Sequence, residues 1–424
     1  MPGETLRATY LIETAFPLER AAESIAGEQS SGTFVAVPGE SDELRRNHRA
    51  RVLSITPLGE VPGPTLPGAR VPKSPSPPRY QQARIEIEWP VVNLGHNLPT
   101  LQATVMGNLY ELGEFSGLKL LDLHLPHSFA DTCPPPRFGV DGTRRLCGVH
   151  NRPIIGTIIK PSVGLTPRQT AELVRTLAEA GIDFVKDDEL MADPPHCPLA
   201  ERVKHVMAAI NDVADRTGKK VMYAVNISDQ LDNMLRHHDT VLAHGGTCVM
   251  VSVNCVGLSG VRKLADHTAV PIHGHRNGWG MLSRCPVLGV EFTAYQKLWR
   301  LAGVDQLHVN GLQNKFCESD DSVVRSIHAC LSPLFPGGTD RIVPVISSGQ
   351  WGGQAPETYR RTHTLDVMYL AGGGIMAHPD GPAAGLRAIR QCWEAAVAGV
   401  PLADYARRHP ELQKQLEKFG RDRN

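Results

Sequence analysis

From about Ile154 onward the chain alternates between short apolar runs and amphipathic stretches carrying helix-start and helix-stop residues. This alternation limits the available folds more than any other feature does. Read as strands, the apolar runs are Ile154–Ile159, Ile182–Lys186, Val221–Asn226, Thr247–Ser252, Val270–His273, Gln306–Val309, Ile342–Ser347 and Val367–Leu370. The stretch after the first run shows why helices fall between them. Thr166 can cap, Pro167 sits in the first turn and Gln169 completes a capping box. Leu173, Val174 and Leu177 recur at helical spacing, and Gly181 stops the helix before the next strand. Eight such units over about 250 residues predict an α/β fold, a (β/α)8 barrel spanning 145–400. A doubly wound open sheet shares the pattern and is the competing architecture.

Residues 1–135 have a different texture. Strand-like alternation at Ala8–Thr14 and Arg84–Trp89, a helix opening at Asn97-Leu98-Pro99 and a closing strand Leu118–Leu125 predict a smaller α+β, ferredoxin-like domain. Between Pro57 and Pro78, eight of 22 residues are proline. Such a stretch enters neither a helix interior nor a central strand. It is read as an irregular loop inside the domain, with a flexible linker as the alternative. Residues 401–424 read as a polar, charged helix and tail.

Charge and cysteine usage remove several function classes. Lys+Arg and Asp+Glu both number 44, for a net charge of 0, so no basic field draws in nucleic acid or an anionic membrane. No apolar run reaches the length of a membrane span, and the N-terminus has none of the three parts of a secretory signal. Nine cysteines contain no C-x-x-C pair, which predicts reduced thiols in a cytoplasmic enzyme rather than a disulfide frame. Cys255 and Cys317 are read as packing residues.

In a barrel, chemistry collects just past the C-terminal ends of the strands. The first strand runs into Lys160 and the second into Lys186-Asp187-Asp188-Glu189. The third ends at Asn226 and the fifth at His273, His275 and Arg276. The sixth supplies His308 and, seven residues on, Lys315. The seventh ends in Ser347-Ser348-Gly349, and the eighth runs into Gly372-Gly373-Gly374. Taken singly, each has a bland reading: four adjacent charges usually make a solvated turn, and glycine runs are usually turns. Together they place oxygen ligands for a hard cation beside cations and backbone nests that suit phosphate.

GTIIKP followed by DFVKDDE, then H-x-HR, then a histidine with a lysine seven residues on, then S-x-G and GGG, resembles the RuBisCO large-subunit family. The likeness runs from the N-terminal domain to the helix near Trp393, and GTIIKP followed by KDDE is its most specific element. The resemblance implies that Lys186 is carbamylated by CO2 and, with Asp188 and Glu189, holds Mg²⁺. Lys160 matches the family's proton-transfer lysine, His275 and His308 its substrate-contacting histidines, and Arg276 its cationic anchor. Lys315 matches the lysine of the mobile loop, while Ser347, Gly349, Gly372 and Gly373 match the phosphate-cradling loops. Glu28, Thr33 and Asn108 match residues lent by a neighbouring subunit, implying a homodimer, or a multiple of dimers, with shared active sites.

Three departures point to the non-carboxylating, RuBisCO-like branch. Trp279 stands where carboxylases keep a histidine, the loop reads Asn310-Gly311-Leu312-Gln313-Asn314-Lys315, and LMADPPHCPLAERV follows DDE. These changes touch the far end of the substrate or the gas-handling loop and leave the enolisation machinery. The implied activity is a Mg²⁺-dependent reaction through a metal-bound enediolate on a phosphorylated keto sugar or keto sugar acid. The favoured form is 3-oxo-isoapionate-4-phosphate transcarboxylase/hydrolase or decarboxylase, because cleaving a carbon–carbon bond uses more of the retained set than one proton shift. The alternatives are a methionine-salvage enolase on 2,3-diketo-5-methylthiopentyl-1-phosphate or 5-methylthioribulose-1-phosphate isomerase, and a non-catalytic scaffold.

Overall fold

The computed structural model describes residues 3–32 and 38–420. They form two compact units. One comprises the described residues within Met1–Pro134, Gly278–Leu301 and Leu334–Pro336; the other comprises those within Pro135–Asn277, Ala302–Pro333 and Gly337–Asn424.

In chain order the strands are β1 (Thr5–Thr14), β2 (Arg51–Val61), β3 (Tyr80–Pro90), β4 (Phe115–His124), β5 (Ile154–Ile158), β6 (Phe184–Lys186) and β7 (Met222–Asn226). They continue with β8 (Cys248–Ser252), β9 (Ile272–His275), β10 (Leu288–Val290), β11 (Gln306–His308), β12 (Val343–Ile346) and β13 (Met368–Leu370). The first unit carries a five-stranded sheet in the order β10-β4-β1-β3-β2. Alternate residues of β1 (Leu6, Ala8, Tyr10, Ile12) and of β3 (Ala83, Ile85, Ile87, Trp89) are fully buried, which is the period-2 signature of a sheet covered on one face. Asn97 caps the helix Leu98–Met106 through its side chain, as the sequence predicts.

The sequence reading of this unit needs three corrections. The strand β2 was not recognised, and it takes in Pro57 through Val61 of the proline-rich stretch. It is an edge strand whose register shifts between Pro57 and Gly59, the setting in which a sheet tolerates proline. Both its faces are largely solvated, so no apolar alternation marks it. The rest of the stretch is tied to the sheet. Buried Glu13 accepts from the Thr65 N–H (2.6 Å), the Thr65 hydroxyl (2.7 Å), Ser116 (2.8 Å) and Gln82 (2.8 Å). Finally, the segment Gly278–Leu301, assigned above to the barrel, packs with the N-terminal sheet. There β10 runs parallel to β4, and Lys119 Nζ donates to the Ser283 and Cys285 carbonyls at 3.1 and 2.9 Å. Trp279 belongs to this packing as well. It lies against Tyr295 and Phe292, with ring centroids 4.6 and 5.7 Å away.

The second unit is the barrel. Its eight strands close in the order β11-β12-β13-β5-β6-β7-β8-β9, all neighbours parallel, which removes the open-sheet alternative. Ile154, Phe184, Met222, Cys248, Val343 and Met368 belong to one buried cluster that fills it. The capping box at Thr166 and Gln169 forms as read. The C-terminal stretch makes two helices, Leu402–Ala406 and Pro410–Phe419, not one. It is not a mere polar tail: Leu412 and Gln415 are fully buried.

Candidate active site

Lys186 is the last residue of β6 and points into the barrel, only 1% exposed. Its Nζ donates to the Asp187 carbonyl at 2.8 Å and lies 3.6 Å from Glu189 Oε2. Burial pushes its pKa below the usual lysine value, against the pull of Glu189, Asp188 and Asp187. The next side chain, Asp187, turns the other way. It accepts from Arg202 Nε (3.2 Å), the Asn226 N–H (3.0 Å) and the Tyr223 hydroxyl. Of the two adjacent aspartates, then, one anchors the strand end and the other faces the open pole.

Asp188 accepts from Lys160 Nζ at 2.7 Å. Burial alone would raise its pKa, but Lys160 and the Leu190 N–H hold it below the ordinary carboxylate value. Asn226 Nδ2 donates to the Asp188 and Glu189 carbonyls at 3.2 and 3.1 Å, fixing the backbone that carries both carboxylates. His275, the last residue of β9, places Nε2 3.6 Å from Glu189 Oε2. Burial depresses its pKa to about 3, with Lys186 adding to the effect. Lys160, Lys186, Asp188, Glu189 and His275 therefore converge at one pole of the barrel. Two ammonium groups sit beside two carboxylates, and every carboxylate oxygen is a hard donor of the kind Mg²⁺ selects. The residues present fit that ion.

Beneath this pole runs a line of polar side chains. Gln306 Oε1 lies 2.9 Å from His273 Nδ1, His273 Nε2 lies 2.8 Å from His308 Nε2, and His308 Nδ1 lies 3.1 Å from Ser347 Oγ. The Gln306 oxygen requires a proton on His273 Nδ1, so His308 Nε2 is the donor to His273 and His308 Nδ1 accepts from Ser347. Burial keeps both imidazoles neutral by pushing their pKa values well down.

Arg276 is buried and engages Glu318 at 3.0 Å, and Asn310 Nδ2 reaches the same carboxylate at 2.6 Å. Lys315 is exposed, its ammonium 5.2 Å from the Phe316 ring centroid. Its side-chain stem adjoins Gly349, whose φ of +78° favours glycine. Gly372 and Gly373 have no backbone need of this kind: a Cβ on Gly373 would meet nothing within 4 Å. Gly374 is different, since its Cβ would meet the Gln350 carbonyl at 2.8 Å. The pair before it thus leaves an open stretch of backbone, while Gly374 is a packing glycine. Gln415 Nε2 donates to the Gly374 carbonyl at 3.1 Å, and Phe419 packs on Trp351 at 5.7 Å.

Glu28 and Asn108 are exposed on the first unit. The Gln29 amide, oriented to donate to the Ala103 carbonyl (3.2 Å), accepts from the Asn108 N–H (3.1 Å) and draws their segments together. Thr33 lies outside the described residues. Cys255 and Cys317 are exposed, which corrects their reading as packing residues. Arg202, Tyr223, Gln306 and Glu318 were not singled out from sequence. Each acts through a contact partner remote in the chain, which no local motif marks.

Residues 4–129 match the ribulose bisphosphate carboxylase large chain, N-terminal domain, and residues 139–419 match its catalytic domain. The chain belongs to the RuBisCO large-chain family. Among its relatives is the 3-oxo-isoapionate-4-phosphate transcarboxylase/hydrolase of Xanthobacter autotrophicus, 53% identical over 98% of this chain and 99% of that protein. The 3-oxo-isoapionate-4-phosphate decarboxylase of Rhizobium etli is 48% identical over 97% of this chain and 98% of that one. The crystal structure of a rubisco-like protein from Burkholderia fungorum matches with a TM-score of 0.92 and 48% identity, covering 98% of this chain and 100% of that chain. Within the family the chain stands with the RuBisCO-like proteins.

Proposed function

We propose that the protein cleaves the carbon–carbon bond next to the carboxylate of a phosphorylated 3-oxo sugar acid, as a 3-oxo-isoapionate-4-phosphate transcarboxylase/hydrolase. The observation that carries this reading is the contact between Lys160 and Asp188 at 2.7 Å, which puts a proton-carrying amine beside a carboxylate of the cation-binding pole. The relatives' names supply the substrate class, and the higher identity favours transcarboxylase/hydrolase over decarboxylase.

A carboxylate β to a ketone departs as CO2 while its bonding electrons pass into the carbonyl as an enediolate. Transcarboxylation is complete when the other enediolate carbon takes up that CO2, and water then cleaves the new β-keto acid. The enzyme must therefore steady the oxygen and supply a proton to the carbon released in that cleavage. Asp188, Glu189 and a carbamate on Lys186 would hold Mg²⁺, which when bound polarises the ketone. Burial helps Lys186 towards that state, because the neutral amine is the form that adds CO2. Lys160 holds the proton at Nζ, beside the Asp188 carboxylate, and would deliver it to that carbon. His275 is neutral at working pH and positions a substrate oxygen by hydrogen bonding. Ser347, with its proton committed to His308, offers lone pairs to a substrate hydroxyl. The open backbone at Gly372 and Gly373, with Gly349 and Lys315, receives the phosphate. Arg276, held by Glu318, closes that side.

Glu28, Asn108 and Thr33 are read as the contribution of a second copy in a homodimer or a multiple of dimers. The nine cysteines are all free thiols, in keeping with a cytoplasmic enzyme. The testing experiment incubates the protein, Mg²⁺ and bicarbonate with a panel of oxo-sugar-acid phosphates and methylthio-pentose phosphates, read by mass spectrometry. Turnover confined to the methylthio compounds would overturn the reading in favour of a methionine-salvage enolase or isomerase.

A further inference from the structure

On the outer helices of the barrel unit, away from Lys186 and Glu189 in sequence and contacts, two histidines flank one carboxylate. His238 and Asp239 lie on the helix Leu231–Ala243, and His267 ends the helix Val253–His267. Asp239 Oδ1 stands 3.0 Å from His238 Nδ1 and 2.7 Å from His267 Nε2. The three candidate ligand atoms all lie within 4.8 Å of one another.

One of the two histidine rings is held in place by a further hydrogen bond. His238 Nε2 lies 3.0 Å from Thr268 Oγ1. The Thr268 hydroxyl donates to the Val270 carbonyl at 2.9 Å and accepts from the Val270 N–H at 3.1 Å. Held at Nε2 by Thr268, the His238 ring turns its Nδ1 towards Asp239 Oδ1, the same oxygen that His267 Nε2 approaches.

We propose that His238, Asp239 and His267 bind a divalent ion of the zinc class at a site separate from the catalytic pole. Two imidazoles and a carboxylate suit zinc, nickel or copper rather than magnesium. The His238 ring already shows the outer hydrogen bond that metal-binding imidazoles make through their second nitrogen, here to Thr268. His238 is 1% exposed and preset, whereas Asp239 and His267 are 61% and 39% exposed. The exposed pair leaves room to close on an ion at about 2.0–2.1 Å and leaves a position open to water. The bound ion would clip together the two helices that flank β8.

Zinc titration by calorimetry of the full chain, its His267→Ala and Asp239→Ala variants, and Glu189→Gln as a catalytic-pole control tests this site. The wild type and Glu189→Gln should each bind a zinc equivalent that both His267→Ala and Asp239→Ala lose. Zinc should also raise the wild-type melting temperature, and Co²⁺ should give the visible band of a tetrahedral nitrogen–oxygen site, both absent from the two variants. Both altered side chains are exposed, and circular dichroism verifies that each variant is folded. Equal zinc stoichiometry and affinity in the wild type and a folded His267→Ala or Asp239→Ala would overturn the proposal. So would a wild type that binds no zinc.

Discussion

Lys160 Nζ donates to Asp188 Oδ2 at 2.7 Å, joining the end of β5 to the loop after β6 across the mouth of the barrel. The lysine is partly exposed and the aspartate almost wholly buried, at 44% and 3% of their side-chain surfaces. The lysine can therefore leave without carrying the carboxylate with it.

Replacing Lys160 by Met removes the proton donor and leaves the carboxylates in place. Turnover should fall by about 10²–10⁴-fold, the usual contribution of a positioned acid or base. Affinity for a non-reacting substrate analogue should change little, so kcat and the dissociation constant are measured separately.

Asp187 is a stability residue despite its place within KDDE. Asp187→Ala strands the buried Arg202 guanidinium, which is 1% exposed and among the described residues otherwise meets uncharged groups: carbonyl oxygens, the Cys197 sulfur and the Tyr223 side chain. Breaking a buried pair from one side costs about 3–5 kcal/mol. Urea denaturation should show a loss on this scale, well beyond that of Glu189→Ala at the half-exposed position.

Acid should weaken the fold through the three imidazoles. His275 titrates near 3 in the folded chain, and His273 and His308 are also depressed, all by burial first. An unfolded histidine takes up its proton near about 6.5. Between those values the unfolded chain binds more protons, so stability is fully present above about 6.5 and is lost as pH falls towards 3. Denaturation midpoints measured from pH 7 to 4 should decline, and His275→Asn should flatten the decline.

Gln415 reaches the Gly374 backbone, next to the proposed phosphate cradle, from the C-terminal helix. Gln415→Ala leaves the buried Gly374 carbonyl without this donor, at a cost of about 1–3 kcal/mol. The expected signature is a raised KM for the phosphorylated substrate with kcat nearly unchanged. Equal losses in both would place Gln415 in general stability.

The proposed sharing of sites between two copies is measurable by complementation. Asn108→Ala and Lys186→Ala chains, each nearly inactive, should regain about a quarter of wild-type activity when randomly mixed, since half of the dimers are mixed and half of their sites intact. No recovery in proven mixed dimers would place each site within one chain.

What the sequence revealed follows from how local each signal is. The eight barrel strands were legible because each is a short apolar run punctuated by its own cap and glycine, as at Thr166 and Gly181. Lys186, Asp188 and Glu189 were legible as a cluster because three ionisable side chains fall within four residues at a strand end. By contrast, β2 is solvated on both faces, and β10 has three residues and pairs with a strand some 170 positions earlier. Neither carries a periodic pattern. Nothing local distinguishes Asp187 from Asp188; only the distant Arg202 and Tyr223 decide which of the two turns inward. Trp279 looked like a change at the substrate, and its aromatic neighbours place it in a packing cluster instead.

The fate of the carboxylate carbon separates transcarboxylation from decarboxylation and from enolisation. Purified protein with Mg²⁺ and bicarbonate is given 3-oxo-isoapionate 4-phosphate labelled with ¹³C in its carboxylate and followed by NMR. The label should appear in a new carboxylate product, with little free CO2, and Glu189→Ala should abolish its appearance. Substrate left unchanged by active, metal-loaded protein, or the label released wholly as CO2, would contradict the assignment as a transcarboxylase/hydrolase.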